Sequence, residues 1–200
     1  MSTHDLEIKL ILASGSLSRA TILSQAGVPF EKRVSGVDED KLKTEHAGEP
    51  AELACALAQA KAQAVSEKDG LFVLGADQLL LCDGRLFDKP QSVDEARINL
   101  NFLSGKTHYL INGLSLCCDG HEIWSFTNHV ALTMRALSES FLDHYLAVEG
   151  ERILSSVGCY RLEAMGAQLF TKIDGDYFST LGLPLLPLLE ELRQRSVVQK

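Results

Sequence analysis

Two serines, a glycine and an arginine near the amino terminus could form an anion-binding turn. In "LILASGSLSRATILSQAG", residues 10–27, a short apolar run leads through Ser14, Gly15 and Ser16 into a helix-like segment. Backbone N–H groups and the positive end of the helix dipole would meet at this turn, and Arg19 could add a charge-assisted contact to a phosphate. Taken alone, the stretch favours an ordinary helix N-cap beside a solvated arginine, since the chain has neither a Walker A lysine nor a GxGxxG triple.

Other charged residues fall on separate segments of the chain. Asp77 follows a six-residue apolar run and is expected at the end of a strand, as a metal ligand, a general base or a turn aspartate. Lys61 in an alanine-rich helix and Lys89 in "FDKP" could each be a surface lysine, and Asp38 and Glu39 a solvated acidic loop. Together with the arginine, however, two lysines and two acidic sites are what a metal-assisted phosphate cleavage site requires.

Periodicity and capping signals predict alternating strands and helices. Strands are expected at 8–13, 71–77, 79–87 with a turn at Asp83-Gly84, 107–118, 121–134 and 167–173, and an extended segment at 30–34. Helices are expected at about 18–26, 51–65, 92–105, 138–148 and 183–195. This order favours an α/β fold with a mixed sheet.

Composition restricts the class of protein. With 200 residues and no internal repeat or linker, the chain suits one domain, and its net charge of −8 argues against binding a nucleic acid polymer. The first residues lack the features of a signal peptide and no stretch is long and apolar enough to cross a membrane, which predicts a cytoplasmic protein.

Cysteine and histidine chemistry is not indicated. The five cysteines have no CxxC spacing and are expected to be buried free thiols rather than disulfides or zinc ligands. His108, His121 and His129 fall in strand-like segments, where structural histidines are expected.

Six ordered blocks of the sequence resemble the Maf proteins, which are nucleoside triphosphate pyrophosphatases related in fold to the inosine triphosphatases. The blocks are "LILASGSLSRATILSQAGVPFE", "VDED", "AQAKAQAV", "GADQLLLCDGRLFDKP", "LSGKTHYLINGLSL" and "GAQLFTKIDGDYFSTLGLPL". The resemblance implies a single domain over residues 1–200, with a mixed, twisted β-sheet flanked by helices and a substrate cleft between two lobes.

The resemblance also implies roles for individual residues. Asp77 would be the catalytic acidic residue and, with Glu39, would hold a divalent cation, Mg²⁺ or Mn²⁺. The implied triphosphate contacts are Ser16, Arg19, Lys61 and Lys89. The product would be a nucleoside monophosphate plus pyrophosphate.

This sequence departs from the family pattern at two places. Leu17 and Ser18 replace the family's proline and first arginine, which removes a phosphate-binding charge, and Asp88 replaces the glycine before the lysine. A catalytically weak nucleotide-binding regulator of cell division therefore stays open, as do a phosphatase that removes terminal phosphates and a homodimeric assembly.

The resemblance places Ser18, Gln78 and Glu163 in the base pocket. Gln78 with Glu163 is similar to the subgroup that acts on 7-methyl-GTP, whereas pyrimidine-type members, which act on dTTP or UTP, have threonine and glutamine there. A carboxylate can accept hydrogen bonds from the adjacent N–H donors of guanine. Alternatively, Glu163 pairs with Arg161 or a neighbouring lysine and does not contact the base. The subgroup that acts on 7-methyl-GTP has tryptophan at the position of Ser18, so selectivity for a modified guanine nucleotide is expected to be weaker here.

Overall fold

The computed structural model describes residues 9–199, in which strands and helices alternate. The strands are β1 (Leu10–Leu12), β2 (Glu31–Lys32), β3 (Phe72–Cys82), β4 (Arg85–Phe87), β5 (Thr107–Cys118), β6 (His121–Met134) and β7 (Phe170–Asp174). The helices are α1 (Leu17–Gln25), α2 (Glu39–Glu45), α3 (Pro50–Val65), α4 (Val93–Leu103), α5 (Glu139–Glu149), α6 (Tyr177–Thr180) and α7 (Leu185–Gln194). Gly150–Ser155 and Met165–Leu169 form 3₁₀ helices.

The strands pair in both directions. Their order is β2-β1-β3-β5-β6-β7, and β4 pairs with β3. β1 is parallel to β2 and β3, whereas β3–β4 and β6–β7 are antiparallel. The turn between β3 and β4 has positive φ at Asp83 and Gly84, as the Asp-Gly pair predicts. The expected α/β fold with a mixed sheet is confirmed.

The described residues divide into two compact units. The first contains the chain up to Gln78, Asn112–Asn128 and the residues from Tyr177 on, and the second contains Leu79–Ile111 and His129–Asp176.

Helices cover both faces of the sheet in the first unit. Successive residues of β1 point to opposite faces. Leu10 and Leu12 pack in an apolar cluster with residues of α1 and α7, whereas Ile11 packs with Ala62 of α3. Burial of each such leucine contributes about 2 kcal/mol. The two helix layers hold the end of β1 and the start of α1 in place.

Two glycines allow α3 to approach the sheet closely. A Cβ built on Gly75 of β3 would lie 1.9 Å from the backbone oxygen of Ala58, and one on Gly113 of β5 would lie 2.2 Å from the backbone of Ala54. Any side chain at these positions would push α3 outward. Since Gly75 and Asp77 lie two residues apart on one strand, they face the same helix.

The second unit has its own core, formed by two helices against its strands. Leu100 and Leu103 of α4 and Leu142 and Tyr145 of α5 pack with Leu132 of β6. The Tyr145 hydroxyl, whose pKa burial raises above its usual range, donates a hydrogen bond to the carbonyl of Cys159 at 3.1 Å.

Three sequence predictions need correction. Asp77 lies within β3 rather than at a strand end, because Leu80 to Cys82 continue the strand by pairing with β4. The segment predicted as an acidic loop continues into α2, for which the Asp38 side chain is the N-cap. The strand predicted at 167–173 begins only at Phe170. Of the first predicted strand, residue 8 lies outside the described residues.

Within the described residues, all five cysteines are free thiols. Cys82, Cys117 and Cys159 are buried, but Cys55 and Cys118 are only partly so, which corrects the expectation that all would be buried. No helix among residues 9–199 combines the length and apolar character needed to cross a membrane.

His108 on β5 is a buried structural histidine, as its strand context predicted. Its Nε2 lies 2.8 Å from the hydroxyl of Tyr160, and its Nδ1 has no hydrogen-bond partner within the described part of the chain. Burial lowers its pKa from 6.5 to about 4. The folded protein therefore holds the imidazole in its neutral form.

This histidine should make folding stability depend on pH. In the unfolded chain His108 binds a proton below about pH 6.5, whereas in the folded chain it stays neutral down to about pH 4. The free energy of unfolding therefore falls as the pH decreases through this window. We expect a loss of about 2 kcal/mol between about pH 7.5 and about pH 5 from His108 alone. Urea unfolding at several pH values should show this loss of unfolding free energy in the wild type and not in His108→Gln. The same pH dependence in both proteins would contradict the assignment.

Candidate active site

The turn between β1 and α1 is built from hydroxyl–backbone hydrogen bonds. The Ser16 hydroxyl accepts from the backbone N–H of Arg19 at 3.4 Å and so caps α1, while the Ser14 hydroxyl accepts from the N–H of Ser16 at 3.2 Å. The ammonium group of Lys32 on β2 donates to the carbonyl of Gly15 at 2.9 Å. The N-cap role considered for Ser16 is confirmed, and the turn lies at the carboxyl end of β1.

Arg19 is buried, so the interpretation of a solvated arginine is wrong. Its side chain, in the first turn of α1, is 9% exposed. Nε donates to the carbonyl of Gly182 at 2.8 Å, and Nη1 donates to the Ser14 hydroxyl at 3.1 Å. Burial lowers the pKa of the guanidinium, and the negative charges of Asp77 and Glu39 act in the opposite direction. A buried, oriented cation of this kind suits a phosphate oxygen.

Lys61 joins the two predicted acidic residues. Its ammonium group lies 2.6 Å from an oxygen of Asp77 and 2.8 Å from an oxygen of Glu39. Lys61 is 7% and Asp77 6% exposed. The interpretation of Lys61 as a surface lysine is therefore wrong, and the three residues form one ionic cluster.

Three different elements place this cluster. The close approach of α3 to Gly75 brings Lys61 to Asp77, which lies three residues beyond Leu74, the last residue of β3 in register with β1. Glu39 is the first residue of α2, where a carboxylate also interacts favourably with the helix dipole. Asp77 thus lies within its own strand but beyond the end of the neighbouring parallel strand, where α/β proteins bind ligands.

When Arg19 is counted with the three residues of this cluster, the charges balance. Arg19 and Lys61 supply two positive charges and Asp77 and Glu39 two negative ones. A triphosphate bound here would need further positive charge. Within residues 9–199 no group of three or more histidine, cysteine or acidic side chains converges in a metal-binding arrangement. Asp77 and Glu39 are two carboxylates that both contact the Lys61 ammonium group.

Gln78 points into a network of amides in the same unit. Its side-chain nitrogen donates to Oδ1 of Asn112 at 3.0 Å and to the carbonyl of Ser179 at 3.1 Å. Ser18, in the first turn of α1, is half-buried.

The remaining predicted site residues belong to the second unit. Lys89 is exposed, follows β4, and its carbonyl accepts from the side chain of Gln91 at 3.3 Å. A carboxylate oxygen of Glu163 lies 3.5 Å from Nε of Arg161, whose Nη1 lies 3.3 Å from buried Glu149. The ion pair that the sequence left open for Glu163 is therefore present.

Sequence reasoning missed several contacts of the site. Lys32 donates to the carbonyl of Gly15 in the turn, and the carbonyl of Gly182 accepts from Arg19. Gly182 lies in the last of the family blocks, but nothing in the sequence assigned it a contact. No periodicity signal links it to Arg19, which lies 163 residues away.

One family model matches nearly the whole chain, and several relatives are similar to it over most of their length. The model of the family described as "Maf-like protein" matches residues 9–195. A nucleoside triphosphate pyrophosphatase from Granulibacter bethesdensis is 46% identical over 195 residues, which is 96% of this chain and 99% of the relative. A 7-methyl-GTP pyrophosphatase from Rhizobium etli is 45% identical over 194 residues, 95% of this chain and 98% of the relative. The solved structure of a HAM1 protein from Coxiella burnetii has a TM-score of 0.42 at 15% identity, covering 64% of this chain and 73% of that one.

Proposed function

This chain belongs to the Maf family, and on that premise we propose that it is a nucleoside triphosphate pyrophosphatase with a preference for 7-methyl-GTP or another modified guanine nucleotide. The observation that carries the activity is the convergence of Arg19, Lys61, Asp77 and Glu39 at the carboxyl end of β1. The reaction would add water across the α–β phosphoric anhydride and release a nucleoside monophosphate and pyrophosphate.

Each residue of the cluster has a chemical task in this proposal. Arg19, held by Gly182 and Ser14, would bind a phosphate oxygen through its outer N–H groups. Asp77 would orient the attacking water and accept its proton as the oxygen attacks the α-phosphorus. Lys61 holds the Asp77 carboxylate in place and would offset negative charge that develops on the leaving pyrophosphate.

The donor set fits a hard divalent cation. Mg²⁺ is commonly bound by one or two carboxylates together with substrate phosphates and waters. Asp77 and Glu39 already converge on one cation, the Lys61 ammonium group, with oxygens 2.6 and 2.8 Å away. When bound, Mg²⁺ or Mn²⁺ would polarise the phosphates and neutralise their charge.

The preference for a guanine base rests on Gln78, Glu163 and the relatives' names. Relatives covering nearly the whole chain include 7-methyl-GTP pyrophosphatases from Rhizobium etli and Brucella abortus, at 45% and 43% identity. A carboxylate at Glu163 could accept from the two adjacent N–H donors of guanine, whereas uracil and thymine offer only one there. Its contact with Arg161 is long, at 3.5 Å, and its side chain is 36% exposed, so water already competes for this carboxylate.

A panel of nucleotides tests the proposal. We expect kcat/KM to be highest for 7-methyl-GTP, followed by GTP, with dTTP and UTP lower, and the products to be monophosphate and pyrophosphate. Glu163→Gln should lower kcat/KM for guanine nucleotides about tenfold, because a charged acceptor is replaced by a neutral one. Glu151→Gln, which changes an exposed carboxylate of the same unit, is the matched control.

Different outcomes would overturn different parts. If dTTP or UTP is the best substrate, or if Glu163→Gln lowers kcat/KM equally for all nucleotides, the proposed base preference is wrong and the pyrophosphatase assignment stands. If the enzyme releases orthophosphate instead of pyrophosphate, the assigned reaction is wrong and the protein is a phosphatase. The cytoplasmic location and the homodimer stay predictions.

A further inference from the structure

Three carboxamide side chains form a cluster in the first unit beside, but not within, the ionic site. Gln78 of β3, Asn112 of β5 and Asn128 of β6 lie on three strands that are neighbours in the sheet. The Gln78 amide donates to Asn112, and the Asn112 amide donates to Oδ1 of Asn128 at 3.0 Å. Asn112 is completely buried.

All three carboxamides end on one short segment, residues 179–182. The Ser179 carbonyl accepts from the amides of Gln78 at 3.1 Å and Asn112 at 3.0 Å, and its hydroxyl accepts from Asn128 at 2.8 Å. The carbonyl of Thr180 accepts a longer bond from Gln78 at 3.4 Å. Two strong donors on one buried carbonyl fix its position more tightly than a solvated loop would be fixed.

The same segment orients Arg19. The N–H of Gly182 bonds to the carbonyl of Ser179 at 3.1 Å, and the carbonyl of Gly182 accepts from Nε of Arg19 at 2.8 Å. Gly182 has a φ of +91°, and a Cβ built on it would lie 3.5 Å from Oε1 of Gln78 and 3.6 Å from Nη2 of Arg19. A continuous series of hydrogen bonds thus runs from the buried amides to the guanidinium.

We propose that Gln78, Asn112 and Asn128 are positioning residues of the phosphate site, which act through Ser179 and Gly182 to aim the Arg19 guanidinium at a phosphate of the substrate. Within residues 9–199, Nη2 of Arg19 takes no protein acceptor, while Nε and Nη1 are both occupied. Nε is fixed by Gly182, so the direction of Nη2 follows from where this carbonyl lies. The inference rests on the proposed function only in that the anion is a triphosphate.

Two substitutions, Asn112→Asp and Asn128→Asp, each replace a carboxamide by a carboxylate, but the hydrogen-bond network predicts different effects for them. In Asn112→Asp, a carboxylate oxygen replaces a donor 3.0 Å from the Ser179 carbonyl, and no rotation of a neighbouring amide relieves that repulsion. In Asn128→Asp, one carboxylate oxygen still accepts from Asn112, and the other can accept from the rotatable hydroxyl of Ser179. The first variant should break the network and the second should preserve it.

The test measures the binding of inorganic tripolyphosphate by calorimetry, with Mg²⁺ present throughout, and it measures KM and kcat with the best nucleotide. Asn112→Asp should raise the Kd for tripolyphosphate and the KM about tenfold with kcat changed less than about threefold, because a charge-assisted contact is misaimed. Asn128→Asp should stay within about twofold of the wild type. Ser115→Ala, which removes a buried hydroxyl of β5 that bonds to Glu122 at 2.7 Å, controls for lost stability alone.

A double-mutant cycle shows whether the effect passes through Arg19. In an Arg19→Lys background, adding Asn112→Asp should change the Kd for tripolyphosphate less than about twofold. The reason is that the guanidinium group, which the network orients, is absent from this background. If Asn112→Asp does not fold, Asn112→Ala takes its place in the same cycle. Equal losses in Asn112→Asp and Asn128→Asp, a tenfold loss that persists without Arg19, or wild-type affinity in Asn112→Asp would each overturn the proposal. If instead the wild type binds tripolyphosphate but hydrolyses no nucleotide, the proposed function fails while the positioning network can still be tested by binding.

Discussion

Asp77→Asn is expected to lower kcat by more than about 100-fold while the protein stays folded, since a general base and a cation-binding charge are lost together. The carboxamide has nearly the same volume as the carboxylate, so the packing around this buried position is kept. The carboxamide cannot, however, neutralise the charge of Lys61, whose ammonium group lies 2.6 Å from an Asp77 carboxylate oxygen in the wild type. The measurement is kcat with saturating nucleotide and metal, together with the thermal unfolding temperature.

Asp119→Asn is the matched control for this experiment. Asp119 lies in the turn between β5 and β6 with a φ of +51°, a conformation that asparagine tolerates, and an amide oxygen can still accept from the N–H of Gly70. We expect wild-type kcat for this variant. Near wild-type turnover in Asp77→Asn would show that the catalytic assignment is wrong.

Local signals in the sequence were sufficient for most of the fold. Ser92 and Ser138 each cap a helix that was predicted to begin at that residue, because an N-cap depends only on residues within one turn. The turn predicted at Asp83-Gly84 is also a local signal, and both residues have positive φ where β3 turns into β4. The helices and strands of a chain with strong periodicity can therefore be predicted without its tertiary structure.

Errors occurred where distant partners decide the outcome. The two strands predicted at 71–77 and 79–87 are continuous through Gln78, so that Asp77 lies inside β3, whose residues Leu80–Cys82 pair with β4. The short acidic helix α2 is held by one end, since Glu39 reaches Lys61 on another helix. A seven-residue helix of this composition would not form alone.

The site shows the same division. Family blocks identified the charged residues, but their pairing could not be derived from spacing. Lys61 and Asp77 are 16 residues apart, and their contact depends on Gly75, at which even a methyl group would push α3 outward. Likewise, Gln78 is adjacent in sequence to Asp77, yet it faces the opposite side of β3 and joins a different set of residues.

Removal of divalent cations is the other change with a large expected effect. After treatment with a chelator, turnover should fall by more than about 100-fold, and excess Mg²⁺ or Mn²⁺ should restore it. The physical reason is the charge balance of the cluster, because Arg19 and Lys61 are already matched by Asp77 and Glu39. A triphosphate approaching this neutral set would gain little attraction unless a cation enters with it.

The variants Glu39→Gln and Glu45→Gln make this prediction specific to one carboxylate. Both residues lie on α2, but Glu39 contacts Lys61 at 2.8 Å, whereas Glu45 lies 4.0 Å from exposed Lys41. Glu39→Gln should raise the Mn²⁺ concentration for half-maximal activity about tenfold and weaken Mn²⁺ binding, followed by electron paramagnetic resonance, to the same extent. Glu45→Gln should change neither. Full activity in excess chelator would exclude a divalent cation from the reaction and leave Lys61 as the cation that serves Asp77 and Glu39.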